Sequence, residues 1–273
     1  MSEKKNLYKR FRQQNLSCRV GTVICLVIFL FILVGFFWTP YDPDAMDVSL
    51  KFAGISLRHP FGCDQFGRDL FSRVMKGAGT TFLIGLGTVA IGAFFGMLIG
   101  ALTGYFGGAM DEVLMRINDA LFAFPSILLA LLMISLFGSG RINVMLSLGI
   151  AFIPSFARVV RSEFMKQKSL DYIQAAKMAG AGNLRIMFVH ILPNIYPVFL
   201  STIMIGFNNA VLAEAGLSYL GIGVKPPASS LGQMLSDAQS YLSRAPFYAL
   251  APGLVIVLMI LGIALVAENM KRG

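Results

Sequence analysis

Two stretches of this chain carry no charge for longer than a water-soluble fold tolerates. Val20 to Trp38 runs 19 residues, and Gly77 to Met110 runs 34, without an Asp, Glu, Lys or Arg. A helix rises about 1.5 Å per residue and needs roughly 20 apolar residues to cross a bilayer core. The solvent for these segments is therefore lipid. Composition agrees: 56% of the 273 residues are hydrophobic and 14% are charged, against roughly 25% charged in an average soluble domain. One membrane domain suits this length. The net charge is +9, but the basic residues cluster beside the apolar runs. Topology explains them better than nucleic acid does.

In order, residues 1–19 form a basic tail and Val20–Trp38 a first transmembrane helix. It ends in Phe36-Phe37-Trp38, an aromatic interface anchor rather than a signal cleavage site. Residues 39–76 read as an external loop. Within it Phe66, Leu70, Phe71 and Val74 recur at helical spacing among Arg68, Asp69 and Arg73, which predicts a short interfacial helix. Gly77–Met110 is the second span. Gly92, Gly96, Gly100 and Gly104 line one of its faces at four-residue intervals, so another helix can approach its backbone closely. Asp111, Glu112 and Arg116 mark a short turn, and Ala120–Gly140 is the third span, kinked at Pro125.

Ile142–Ala157 is a fourth span that extends past Arg158 where that side chain reaches the interface. Residues 163–194 form a polar, basic loop, Ile195 to Tyr219 a fifth span, and residues 220–247 an external loop with Pro226-Pro227. Ala249–Ala267 is the sixth span, followed by a short tail, 268–273. With six spans and both termini in the cytoplasm, fifteen Lys and Arg lie inside and eight outside, as the positive-inside tendency requires.

The chemistry inside the spans is sparse. There is no G-x-x-x-x-G-K-[ST] phosphate cradle, no H-E-x-x-H and no C-x-x-C. Cys18, Cys25 and Cys63 form no disulfide framework. His59 and His190, the only histidines, are too far apart in sequence to suggest a metal site built by this chain alone. Glu214 is the one acid deep in an apolar stretch. At ~28 Å along the fifth span from Ile195 it belongs at the outer mouth or in a helix–helix contact, not in a proton relay. The membrane part reads as passive, so uphill transport would draw its energy from another chain.

The polar loop is the exception. Leu170 to Ala179 holds good helix formers with Asp171 near the start, and Gly180 and Gly182 end it. Leu184 to Leu192 then leads back to Pro193. This predicts a compact knob: a helix at about 170–179, a glycine turn, and a return segment. Gln174, Ala175, Ala176, Lys177, Met178, Gly180 and Arg185 are its candidate docking residues, with the small alanines permitting close approach and Lys177 and Arg185 at the rim.

Gln174-Ala175-Ala176-x-x-x-Gly180, followed by His190-x-Leu192-Pro193-Asn194, resembles the E-A-A-x-x-x-G-x(9)-I-x-L-P pattern of permease subunits of ATP-binding-cassette (ABC) importers. Gln174 stands for the Glu and His190 for the Ile, the second as in the peptide/nickel group. His59-Pro60-Phe61-Gly62-Cys63-Asp64-Gln65-Phe66-Gly67-Arg68-Asp69 is similar to that group's H-x-x-G-T-D-x-x-G-R-D, with Cys63 for Thr. Leu217-Ser218-Tyr219-Leu220-Gly221-Ile222-Gly223 is similar to its L-S-F-L-G-L-G. Ala245-Pro246 and Ala251-Pro252-Gly253-Leu254 match its last-span entry. Leu231-Gly232 departs from its usual Trp-Gly, and the tail is short.

The resemblance implies an all-α integral membrane protein with the type I ABC importer permease fold, five core helices over 77–267 behind the first one. It implies the C-type member of a pair of non-identical permeases in a bacterial plasma membrane. Two cytoplasmic ATPases, holding the ATP and Mg²⁺ themselves, would dock on the coupling loop 163–194, and an extracytoplasmic binding protein would deliver short peptides, nickel or metal chelates. This chain itself would hold no cofactor and perform no catalysis. The rival readings are a membrane enzyme, for which the spans hold no catalytic constellation, and a channel or scaffold without an ATPase, which leaves the knob unused.

Overall fold

The computed structural model describes residues 16–226 and 228–272, with the side chains of Lys271 and Arg272 excepted. The basic stretch 1–15, Pro227 and Gly273 lie outside the described residues. Five helices are long and apolar enough to cross a membrane: α1 (Leu16–Phe37), α2 (Leu70–Phe106), α5 (Arg141–Lys168), α7 (Asn183–Tyr219) and α9, which spans with Phe247–Met270 and ends at Arg272. Counted as one span, a bent pair of helices brings the number to six. Helices α3 (Gly108–Phe122) and α4 (Ser126–Phe137) meet at 86° across a short break. The short helices α6 (Asp171–Met178) and α8 (Leu231–Ala238) complete the described helical elements, apart from single 3-10 turns at Val48–Leu50 and Gln239–Tyr241.

The chain divides into two compact units. Residues up to Leu83 and from Glu214 onward form the first, and Ile84–Ala213 the second. Helices α2 and α7 each run from one unit into the other. In the first unit α1 packs on α9 through small residues. A Cβ on Gly21 would lie 2.6 Å from the Leu265 Cβ, and one on Gly262 would lie 3.0 Å from the Cys25 Sγ. Helices in lipid associate by such close fits, because no hydrophobic effect drives them together.

The segment 61–74 differs from expectation. No separate interfacial helix forms, because Leu70 already opens α2. Its charges are consumed internally. Asp64, with no exposed surface, accepts the Phe66 and Arg68 backbone N–H groups at 2.8 and 3.0 Å and the Arg68 Nε–H at 2.6 Å. Asp69 caps α2 by accepting the Ser72 N–H at 2.7 Å, and its other oxygen meets His59 Nδ1 at 2.8 Å. Arg73 donates to the Pro43 carbonyl and to Asp44. A helix lying on a membrane would expose these charges to headgroups; here they tie residues 41–73 into one knot. Burial, then Asp69 and Asp64, pushes the Cys63 thiol within it up to about 11.

Three further boundaries shift. Asp111, Glu112 and Arg116 are helical in α3 rather than a turn, since Glu112 pairs with Arg116 one turn on at 2.7 Å and Asp111 pairs with α5. The expected third span is interrupted at Pro125, which has no N–H to carry the helix through. The sixth helix continues through the expected tail to Arg272. Helix α8 was not expected within 220–247. Its signal was present: Ser230 at the N-cap accepts the Gln233 N–H at 3.2 Å, and Ser-x-x-Gln is a capping-box pattern.

Candidate docking site

The second unit holds the expected knob. Helix α6 covers Asp171–Met178, with Asp171 in its first turn and Lys177 in its last, both favourable to the helix dipole. Its end is a Schellman motif: the Gly180 N–H donates to the Lys177 carbonyl and the Ala181 N–H to the Ala176 carbonyl. Gly180 has φ +81, and a Cβ there would meet nothing within 4 Å. The demand at Gly180 is therefore conformational, not steric. Asn183–Arg185 begins α7, a π-helical stretch covers Ile186–Ile191, and the helix continues from Leu192 through Pro193. The return segment and the fifth span are thus one element of 37 residues.

An eight-residue helix is not stable alone, so its anchors matter. Ile173 has no exposed surface. The Tyr172 hydroxyl donates to Gln167 Oε1 at 2.7 Å, and the Asn194 amide donates to the Tyr172 hydroxyl at 3.2 Å and to the His190 carbonyl at 2.7 Å. At the base the Tyr105 hydroxyl donates to Asn183 Oδ1 at 2.9 Å, and Lys168 Nζ donates to the Tyr105 carbonyl. These bonds join the knob to the ends of α2, α5 and α7.

Those helices are themselves locked together. Along α2, a Cβ on Gly92 would lie 3.2 Å from Phe152, and added Cβ atoms on Gly96, Gly100 and Gly104 would press on Phe156, Ala157 and Arg161 of α5. Helix α3 is tied to α5 by a two-bonded Arg161–Asp111 pair at 2.6 and 2.7 Å. Arg158 also pairs with Asp119 at 2.8 Å while its guanidinium lies 3.9 Å from the Phe122 ring centroid. The base of the knob is therefore continuous with a bonded and closely packed set that includes α2, α3 and α5.

Of the predicted docking residues, Gln174, Ala175, Lys177, Met178, Gly180 and Arg185 are exposed and Ala176 is half-buried. Met178 is 90% exposed, and Leu184, 70% exposed on the other side of the turn, extends the apolar tip. Reading Leu184–Leu192 only as a return segment had passed over Leu184. Lys177 and Arg185 have no ion-pair partner among the described residues. The tip is an apolar point, Met178 and Leu184, flanked by two cations, Lys177 and Arg185.

Glu214 belongs to the first unit and is fully buried, so it is not at an open mouth. Its two oxygens accept from the Thr81 hydroxyl at 2.9 Å and the Ser218 hydroxyl at 2.7 Å. Those hydroxyls in turn accept the Leu231 and Val224 backbone N–H groups, each at 3.1 Å. The carboxylate thus joins α2 and α7 to the start of α8.

The described residues form a multi-helix membrane protein with glycine-packed spans and a polar knob between two of them. Residues 92–272 match the family described as binding-protein-dependent transport system inner membrane component. The chain is 32% identical over 265 residues to the dipeptide transport system permease protein DppC of Haemophilus influenzae, covering 95% of this chain and 90% of that protein. It is 35% identical over 272 residues to the glutathione transport system permease protein GsiD of Pectobacterium atrosepticum, covering 98% and 89%. In fold it resembles a chain of the inward-facing MetNI methionine ABC transporter, with TM-score 0.62 and 18% identity over 73% of this chain and 94% of that one. The chain belongs to the binding-protein-dependent transport family. It is a multi-pass bacterial inner-membrane permease with the type I ABC importer fold.

Proposed function

We propose that this chain is one of two non-identical permease subunits of an ATP-driven importer of short peptides. The observation that carries the reading is the knob: an exposed apolar and basic tip on a base locked to three spanning helices. Both termini lie in the cytoplasm, on the same side as the knob. Two ATPase subunits, which hold ATP and Mg²⁺ between themselves, receive the tip in a groove. Their closure moves it, and the paired permeases switch from inward to outward facing as two discrete packings. An extracytoplasmic binding protein delivers the solute. This chain performs no catalysis. Relatives named for dipeptide and glutathione transport support short peptides over nickel or metal chelates.

The test is uptake of radiolabelled Ala-Ala by proteoliposomes holding the whole complex. Uptake should require ATP, the binding protein and both permeases. Uptake that persists without ATP or without the ATPase subunits would favour a channel and sink the proposal.

A further inference from the structure

The second unit contains a cavity of about 420 Å³ between α4, α5 and α7, within the ~300–1,000 Å³ range of small-molecule sites. Its lining includes Ser126 of α4, Phe152, Ser155 and Phe156 of α5, and Thr202 and Asn209 of α7. None of its lining residues is ionisable. Counted from Ile195 at about 1.5 Å per residue, Thr202 lies ~10 Å and Asn209 ~21 Å into the span, on either side of the midplane.

Asn209 decides what this cavity faces. It is exposed on a spanning helix, and its side chain makes no hydrogen bond among the described residues. An unpaired amide facing hydrocarbon costs on the order of 2–7 kcal/mol, so such a group belongs to a wet surface. Ser155, exposed on the facing helix α5, repeats the argument. The Thr202 hydroxyl already donates to the Val198 carbonyl at 2.9 Å, so towards the cavity it can only accept. Asn209 supplies both a donor and an acceptor. One acceptor and one donor are what a peptide unit requires, and the Phe152 and Phe156 rings supply apolar wall.

We infer that this cavity is a stopping point for the solute within this subunit, and that it holds a short peptide by its backbone amide rather than by its charged ends. The inference rests on the peptide-importer reading above. With no carboxylate, imidazole or thiolate in its wall, the cavity has no ligand set for a bare divalent cation and no counter-charge for either terminus. It therefore admits zwitterionic peptides of differing side chain and holds each weakly, which lets the solute leave again. Asn209 is the binding residue.

The experiment uses the complete reconstituted complex. Asn209→Leu should lower kcat/KM for Ala-Ala uptake about tenfold, the effect of losing a hydrogen-bonding partner at a polar site, with assembly checked by size exclusion. Asn209→Cys provides a second readout. It should react with a water-soluble methanethiosulfonate reagent above the wild-type background, and excess Ala-Ala should slow that reaction several-fold. Labelling only by a lipid-phase maleimide would place the face in the bilayer. Cross-linking to the second permease would place it in the subunit contact. Either result, or full uptake by Asn209→Leu, overturns the inference while the peptide reading stands. A wild-type complex that moves no Ala-Ala overturns the peptide reading itself, and with it the peptide assigned to this cavity.

Discussion

Met178 separates the folding of the knob from its docking. The side chain is 90% exposed at the last turn of α6, so it stabilises nothing within the chain. Seated in a partner's groove it would bury most of that surface, and full burial of a methionine side chain is worth roughly 1.5–3 kcal/mol. Met178→Ala keeps the helix, since alanine is the better helix former, and removes most of that gain. The ATPase subunits should then bind about ten-fold more weakly or worse. Met178→Asp goes further, because a charge would have to be desolvated in the groove, at a cost of several kcal/mol. Met178→Ala should leave the melting temperature of the permease pair alone unchanged, because the exposed side chain makes no contact to lose. Met178→Asp places a negative charge at the C-terminal end of α6 and should lower it only slightly, at a cost of about 0.3–1 kcal/mol.

Ile173→Ala is the contrasting variant. Ile173 is completely buried under the same helix, and losing such a side chain costs about 2–5 kcal/mol. Here the knob itself loosens, so docking weakens and local protection from proteolysis falls together. The assay pairs titration of the ATPase subunits against detergent-solubilised permease with limited proteolysis of the permease alone. Wild-type affinity in Met178→Asp would refute the idea that the tip is the contact. Loss of proteolytic protection in Met178→Ala would refute the idea that its surface is unused within the chain.

Two further outcomes follow from buried or paired charges. Asp64→Asn should destabilise the segment 41–73 by about 3–5 kcal/mol, because Arg68 and Arg73 lose a buried anion; a melting curve within a degree of wild type would contradict the knot described for it. Asp111→Arg should uncouple α3 from α5 and reduce uptake. Adding Arg161→Asp should restore much of it, since the pair is part-buried and doubly bonded; equal defects in single and double variants would show that orientation, not the charge pair, matters.

Five of the six expected spans and the helix and turn of the knob were legible because their signals are local and strong. Uncharged length fixes a crossing helix regardless of neighbours, and Asp171, Gly180 and Pro193 punctuate the loop by backbone chemistry alone. Two of the errors share one physical source. Phe66 to Val74 has helical spacing and flanking charges, which periodicity reads as a surface helix. Asp64 and Asp69 instead find partners at His59, Arg68 and Arg73, and pairing across such a loop leaves no periodic trace. The same holds for Asp111, whose partner Arg161 is 50 residues away. The cavity was invisible for a different reason: Ser126, Ser155 and Asn209 look like ordinary polar residues in apolar runs until three helices bring them to one space.

Glu214 shows how far chain counting goes in a membrane. Distance along the helix placed it near one end of the fifth span, and that count alone left the mouth open as a reading. Burial closes it, because a carboxylate with no exposed surface has to find all its partners inside the protein. It finds Thr81 on α2 and Ser218 one turn along its own helix. A carboxylate oxygen accepts, so each hydroxyl donates its hydrogen there and accepts the backbone N–H through a lone pair. The same two hydroxyls hold Leu231 and Val224, so the acid sits under a loop and the start of α8 whose Val224, Leu231 and Met234 side chains are themselves buried. The one acid within the apolar part of the fifth span is thereby accounted for by packing. An importer driven by a separate ATPase, as proposed above, would need an anchor for the far end of this span more than a proton carrier.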